Sequence, residues 1–278
     1  MENEVLARLS ALSHPQRMAV YRLLMRRYPD EVPAGEIARA LDLKNSTTSV
    51  YLSALLDCGL ATQRRVGTSL LYGAAMPAVR AMMDFLVNDC CRGRPDLCPS
   101  PSPDHTPMPT RRFNVLFLCT GNSARSIFAE ALLRDLGGDR FDVYSAGTHP
   151  APALNPRAVE MLRAKGHDTG NLRAKSAEEF RQPGAPAMDF VFTVCDQAAN
   201  ESCPPWPGQP LSGHWGVPDP VKVQGTAAQQ ALAFQHAYGA LRKRVEAFAA
   251  LPLTTLDAIA LQHAIDDIST LPETGDPA

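Results

Sequence analysis

The sequence predicts two folded domains of different class: a mainly α winged helix-turn-helix over residues 1–98 and an α/β domain over residues 111–270. Three observations carry this prediction. Residues 99–110 hold five prolines in twelve, the composition of an extended, semi-rigid linker. The stretch before it has helical apolar spacing and a single glycine-centred hairpin. The stretch after it opens on the apolar run Val115-Leu-Phe-Leu118, which reads as a buried strand delivering the chain into a polar loop and a helix. A chain of 278 residues is long for one domain and comfortable for two. The tail, 271–278, is expected to be loose.

In chain order, Val5 to Leu12 has helical spacing. Ser13-His-Pro15 reads as a cap and a first-turn proline opening a helix to about Tyr28. Pro33 opens a third helix, Ala34 to Leu41. Asn45 or Ser46 caps a fourth, which runs to about Cys58 and is stopped by Gly59. Leu60 to Val66 and Leu70 to Tyr72 form a hairpin turning at Gly67. Met76 to Asn88 is a last amphipathic helix. Two short helices with a tight joint, followed by a hairpin, make a winged helix-turn-helix. Ser46, Thr47, Thr48, Ser49 and Tyr51 are then expected on the groove-facing start of the recognition helix. Their side chains suit base edges and phosphates. Arg64 and Arg65 on the hairpin are expected to reach the DNA backbone or minor groove. A protein-docking module is the alternative use of the same fold.

In the second half, Cys119 sits at the strand end with five residues between it and Arg125. A helix-like segment, Ile127 to Leu136, follows. Loop N–H groups and the positive helix end converge on one spot, an oxyanion cradle formed by Thr120, Gly121, Asn122, Ser123, Ala124, Arg125 and Ser126. Arg125 adds a guanidinium fork for a tetrahedral oxyanion. The same field favours a thiolate, so Cys119 is expected to have a lowered pKa and to act as a nucleophile. Asp219, in Pro218-Asp-Pro220, fits a general acid for a departing oxygen, or an ordinary turn residue.

No apolar run approaches the roughly 18–20 residues of a membrane span. The acidic start, Met-Glu-Asn-Glu, does not read as a signal peptide, and a cytoplasmic location is expected. Seven cysteines, odd in number and partly clustered, suggest reactive or ligating thiols instead of a disulfide framework. The net charge of −2 says little about partners.

Two resemblances follow from these residues. Cys119-Thr-Gly-Asn-Ser-Ala-Arg-Ser126, Tyr144-Ser-Ala-Gly-Thr148, Asn155-Pro156 and His214-Trp-Gly-Val-Pro-Asp-Pro220 resemble the low-molecular-weight protein tyrosine phosphatases and the arsenate reductases that share their fold. That resemblance implies a three-layer α/β domain with a central parallel sheet. Leu12-Ser-His-Pro-Gln-Arg17 and Ser49-Val-Tyr-Leu-Ser-Ala-Leu-Leu-Asp-Cys-Gly-Leu60 resemble the ArsR-type metal-sensing repressors, which implies a homodimer on operator DNA.

Between phosphatase and reductase, the cysteines lean to the reductase. In a reductase of this fold a nucleophilic Cys is followed by two relay thiols, and Cys195 and Cys203 fit those roles. Val221 and Lys222 follow the Asp-Pro where a tyrosine phosphatase commonly carries aromatics. No metal or organic cofactor is then expected for catalysis, only an external thiol reductant such as thioredoxin or glutaredoxin. The extra loop cysteine of some thioredoxin-coupled members is replaced here by Ala124. For the repressor half, Cys90, Cys91 and Cys98 supply three soft thiols matching trivalent arsenic, so arsenite is the expected effector. Zinc with His105, or cysteines without a ligand, are the alternatives. The whole-chain alternatives are a phosphatase fused to a regulator, or a sensor whose second domain is catalytically idle.

Overall fold

The computed structural model describes residues 2–92, 111–201 and 206–272. The Pro-rich linker, the last residues of the tail, Cys98, His105 and Cys203 lie outside the described residues. The described chain forms two compact units, carried mainly by the residues before and after the linker.

The first unit comprises α1 (Glu2–Leu12), α2 (Pro15–Arg27), β1 (Val32–Pro33), α3 (Ala34–Ala40), α4 (Asn45–Asp57), β2 (Ala61–Val66), β3 (Ser69–Ala74) and α5 (Met76–Phe85). The three strands pair antiparallel in the order β1-β3-β2, and Gly67 turns the hairpin at φ 59°. Val20, Leu23, Leu24, Ile37, Leu52, Leu55 and Leu60 close its core. α3 and α4 are the helix-turn-helix pair.

Three local expectations are corrected. The cap of α2 is His14, whose ring Nδ1 accepts from the N–H of Gln16, and not Ser13. Neither Asn45 nor Ser46 caps α4: Lys44 stands at the cap position without a side-chain bond, and Asn45 is already helical. The last helix does not end at Asn88. Past α5 a π-helical turn, Leu86–Cys90, carries it to the first cysteine of the thiol cluster.

The second unit comprises β4 (Phe113–Cys119), α6 (Arg125–Gly137), β5 (Phe141–Gly147), α7 (Pro156–Ala164), β6 (Phe190–Thr193), α8 (Asp196–Asn200), β7 (Leu211–His214), α9 (Ala227–Ala249) and α10 (Ala258–Ser269). Its four strands are all parallel, in the order β5-β4-β6-β7. β4 is central and reads as a continuous apolar run because both of its faces are covered. Phe113, Val115 and Phe117 face α6 and α9 in the large core, with Phe128, Leu132, Leu241, Val245 and Phe248. Leu116 and Leu118 face a smaller cluster with Ala177, Met188 and Val191. The strand's alternation thus splits one run between two cores and leaves Cys119 at the carboxyl end of the sheet, where parallel α/β sheets hold their ligands.

Candidate active site

The loop after β4 is built from the outside. Four of its carbonyls accept from the segment that follows β5: Cys119 from Thr148 N–H (3.0 Å), Thr120 from His149 (2.9 Å), Gly121 from Ala151 (2.9 Å) and Ser123 from Asn155 (2.9 Å). In a trans peptide the carbonyl and the next N–H point to opposite sides. Fixing the carbonyls outward therefore turns the amides of Thr120, Gly121, Asn122 and Ala124 away from that outer segment. The approach is close enough to require glycine at the end of β5. A Cβ on Gly147 would lie 2.6 Å from the Thr120 carbonyl oxygen.

Asn122 holds the loop's sharpest bend, at φ 45°, and is fully buried. Its side chain is fixed on all sides. Nδ2 donates to Ser126 Oγ (2.9 Å) and Ser145 Oγ (2.7 Å), and Oδ1 accepts from the Lys175 amide (2.7 Å). Ser145 in turn bonds the carboxylate of Glu130, which also accepts from Arg134 and lies 3.2 Å from Lys175 Nζ. Glu130 and Lys175 are both buried. A charge removed from water is tolerable only when paired and hydrogen-bonded, so this cluster fixes the loop's back face. In the sequence the cluster is marked only by a lone Glu inside the otherwise apolar run Ile127-Phe-Ala-Glu-Ala-Leu-Leu133.

Cys119 and Cys195 meet at the loop's inner side. Both are buried, with free thiols. Cys195 lies two residues beyond β6 and just ahead of α8, and its Sγ is 3.4 Å from Thr120 Oγ1. The lowered thiol pKa expected at Cys119 belongs to the Cys119–Cys195 pair. The interaction with Cys195, together with burial, pushes the Cys119 thiol up, against Arg125 and the Gly121 N–H. Cys195 is brought down to about 5 by accepting from Cys119, aided by Arg125, Thr120 and the Ala198 amide. Two buried sulfurs beside one guanidinium titrate as a pair and hold one negative charge between them.

Arg125 is the first residue of α6. Nη1 donates to the Val217 carbonyl (2.9 Å) and Nη2 to Asp219 Oδ2 (2.8 Å). The other oxygen of Asp219 caps the short 3-10 turn Pro220–Lys222 through the Val221 amide (3.1 Å). The structure therefore brings Cys119, Arg125, Asp219 and Cys195 together, and Cys203 lies outside the described residues. Val221 is 49 % exposed on that turn, with no aromatic ring in its place.

Residues 114–259 match the family described as low molecular weight phosphotyrosine protein phosphatase. The chain belongs to this family. Within it, the similar curated relatives are named arsenate reductases. That of Oceanobacillus iheyensis is 36% identical over 135 residues, covering 49% of this chain and 94% of the relative. That of Bacillus subtilis is 37% identical over the same shares. A solved arsenate reductase in the phosphate binding state is 27% identical, covers 50% of this chain and 97% of its own, and superposes with a TM-score of 0.42. The phosphatase-family domain is preceded by a match to a helix-turn-helix domain over residues 12–64.

On that helix-turn-helix, Ser46 and Ser49 are exposed and Thr47 half-buried at the start of α4. Thr48 is fully buried, and its hydroxyl bonds the Lys44 carbonyl (3.2 Å), so its expected base contact is corrected. It shares the buried stripe of Leu52 and Leu55, four and seven residues on. Tyr51 bonds Gln16 and packs on the His14 ring, 5.1 Å between centroids. Arg64 and Arg65 are exposed on β2, with Arg64 Nε donating to Glu31 (2.7 Å). Cys90 is exposed and Cys91 half-buried at the end of the π-helical turn. Among the described residues no group of three His, Cys, Asp or Glu side chains could hold a metal ion. Nor, among them, is any helix long and apolar enough to cross a membrane.

Proposed function

We propose that the chain joins an arsenite-responsive repressor to a thiol-dependent arsenate reductase. One observation carries the enzymatic half: a second buried thiol, Cys195, hydrogen-bonded to the cradle cysteine. Phosphate-ester hydrolysis needs one nucleophilic sulfur. Reducing arsenate needs two electrons, which a thiol pair supplies by becoming a disulfide.

In the proposed reaction, arsenate enters the cradle and takes over the Arg125 fork from Asp219. Cys119 attacks arsenic as its proton passes to Cys195 along their shared hydrogen bond. Asp219, which takes up a proton from solvent once arsenate displaces it from Arg125, passes that proton to the departing oxygen, which leaves as water. The Asp219 carboxylate so formed takes the proton from Cys195, whose thiolate attacks the Cys119 sulfur. The S–S bond forms, the S–As bond breaks, and its electron pair stays on arsenic, releasing arsenite. Cys203 exchanges into the disulfide, and a thioredoxin-like or glutaredoxin-like protein reduces the Cys195–Cys203 bridge. Thiols serving this cycle need a reducing compartment, which makes the cytoplasm the proposed location.

In the regulatory half, Ser46, Thr47, Ser49 and Tyr51 read a major groove, Arg64 and Arg65 hold the backbone, and two copies bind a palindromic operator as a homodimer. Cys90, Cys91 and Cys98 bind arsenite and release the DNA. A phosphatase fused to a regulator is the competing reading, favoured by the family's own description. The purified chain, given arsenate with thioredoxin or glutaredoxin and separately an aryl phosphate, separates the two. Arsenite formation with negligible ester cleavage is expected, and the reverse pattern overturns the reductase.

A further inference from the structure

β7 ends at His214, whose side chain is fully buried. Its Nδ1 lies 2.8 Å from Thr193 Oγ1 and its Nε2 lies 3.1 Å from Asp196 Oδ1. A carboxylate only accepts, so Nε2 carries the proton and donates to Asp196. Nδ1 shares a hydrogen bond with the Thr193 hydroxyl. The two partners flank Val194-Cys195, so one imidazole grips the chain on both sides of the relay thiol.

The surrounding backbone follows the same plan. Trp215 N–H donates to the Thr193 carbonyl (2.7 Å) and Val217 N–H to that of Val194 (3.3 Å). Val194 N–H donates to the Leu118 carbonyl (2.8 Å), one residue before Cys119. Gly216 leaves room for the grip. A Cβ there would lie 2.7 Å from both His214 Nε2 and Asp196 Oδ1.

We propose that His214, acting through Asp196 and Thr193, is the positioning residue that sets Cys195 for attack on the Cys119 sulfur. Thiol exchange needs the incoming sulfur in line with the bond it breaks, and an ångström of drift is costly. Thr193 is held by strand pairing in any case. Asp196 lies beyond the strand: it starts α8, and its side chain is 54 % exposed. The imidazole ties its carboxylate to the sheet, and the first turn of α8 with it. A bond at a half-exposed carboxylate is also readily broken, as Cys195 must turn next towards Cys203. None of these groups belongs to the 120–126 cradle, so the effect belongs to the disulfide step and not to substrate capture.

This inference rests on the reading of Cys195 as the thiol that attacks Cys119. The test uses the full chain with Cys203→Ser, so that the first disulfide accumulates. After an arsenate pulse, mass spectrometry follows the Cys119–Cys195 bridge with time. Asp196→Ala and His214→Phe should each slow the bridge about tenfold, the scale of one hydrogen bond to a charged group. The KM for arsenate should stay unchanged. Asp196→Asn, whose Oδ1 still accepts, should restore most of the rate. The double variant should be no slower than either single one, since both remove the same bond. An unaltered bridge rate in Asp196→Ala overturns the proposal, and that arm stands even if His214→Phe fails to fold. A parallel loss of arsenate affinity overturns it too, because the ring would then support the domain as a whole. If the chain with Asp196 and His214 intact forms no bridge, the reductase reading falls and takes this proposal with it.

Discussion

Replacing the Cys119 sulfur by oxygen should abolish arsenate turnover, because an alcohol beside Arg125 supplies far too little anion near neutral pH. Arg125→Lys should cost about a hundredfold or more in kcat, since a point charge cannot reproduce a planar fork aimed at two oxygens. Steady-state assays of the two variants check this, and retained activity in Cys119→Ser would end the proposed mechanism. The thiol pair makes a second prediction. A depressed pKa means the thiolate persists as pH falls from the ordinary thiol range and disappears only near 5, where Cys195 takes up its proton. Ultraviolet thiolate absorbance should titrate there in the reduced chain. In Cys195→Ser that step should vanish, and the remaining Cys119 thiol should titrate lower than it does in the parent, since the neighbouring sulfur that pushes it up is gone. An unchanged titration would place the resting charge elsewhere.

Among the elements, β4 and the cradle were legible in the sequence because each local signal agreed: an apolar run, a cysteine, small polar residues, an arginine, a helix. The hairpin was legible for the same reason, with Gly67 between two alternating runs. Other features were masked by a competing local signal or depend on contacts between residues distant in the chain. Thr48 looked like a groove residue until the position of Leu52 and Leu55 placed it on the buried stripe. The cap of α2 came from a histidine ring, outside the usual capping set. The Glu130–Lys175 pair joins α6 to a segment 45 residues away. It predicts that Lys175→Met, although similar in bulk and more apolar, destabilises the second domain by about 1.5–3 kcal/mol, because buried Glu130 would lose one of its two cationic partners and keep only Arg134. Denaturant unfolding measures this. A smaller loss in a Glu130→Gln, Lys175→Met double variant than in the single one would mark the buried charge as the cause.

Over the whole molecule, the proposed reading places a producer of arsenite on the same chain as its sensor. Arsenite should release operator DNA from the parent chain but not from Cys90→Ser, Cys91→Ser or Cys98→Ser variants. Arsenate should do so only with a reductant present and Cys119 intact. Gel retardation with and without an external arsenite trap reads both points. If the trap blocks arsenate-driven release as fully as it blocks release by added arsenite, the product travels through solution and the fusion serves co-expression.

The Arg125–Asp219 bridge has a further consequence for an enzyme working among abundant phosphate. At rest the anion seat is already taken by a carboxylate of the chain itself, so every incoming oxyanion must evict a tethered rival. Weak or singly charged visitors are disadvantaged. Asp219→Asn should therefore bind inorganic phosphate more tightly while losing turnover. The gain should survive about 1 M salt, where the Debye length is near 3 Å and distant repulsion is screened but contact competition is not. Calorimetric titration at low and high salt would show it, and an equal affinity in both proteins would mean the seat is empty in solution. Tighter phosphate binding by Asp219→Asn would mark Asp219 as an acid that guards the seat between turnovers: housekeeping against free phosphate, done by the residue that later completes the chemistry.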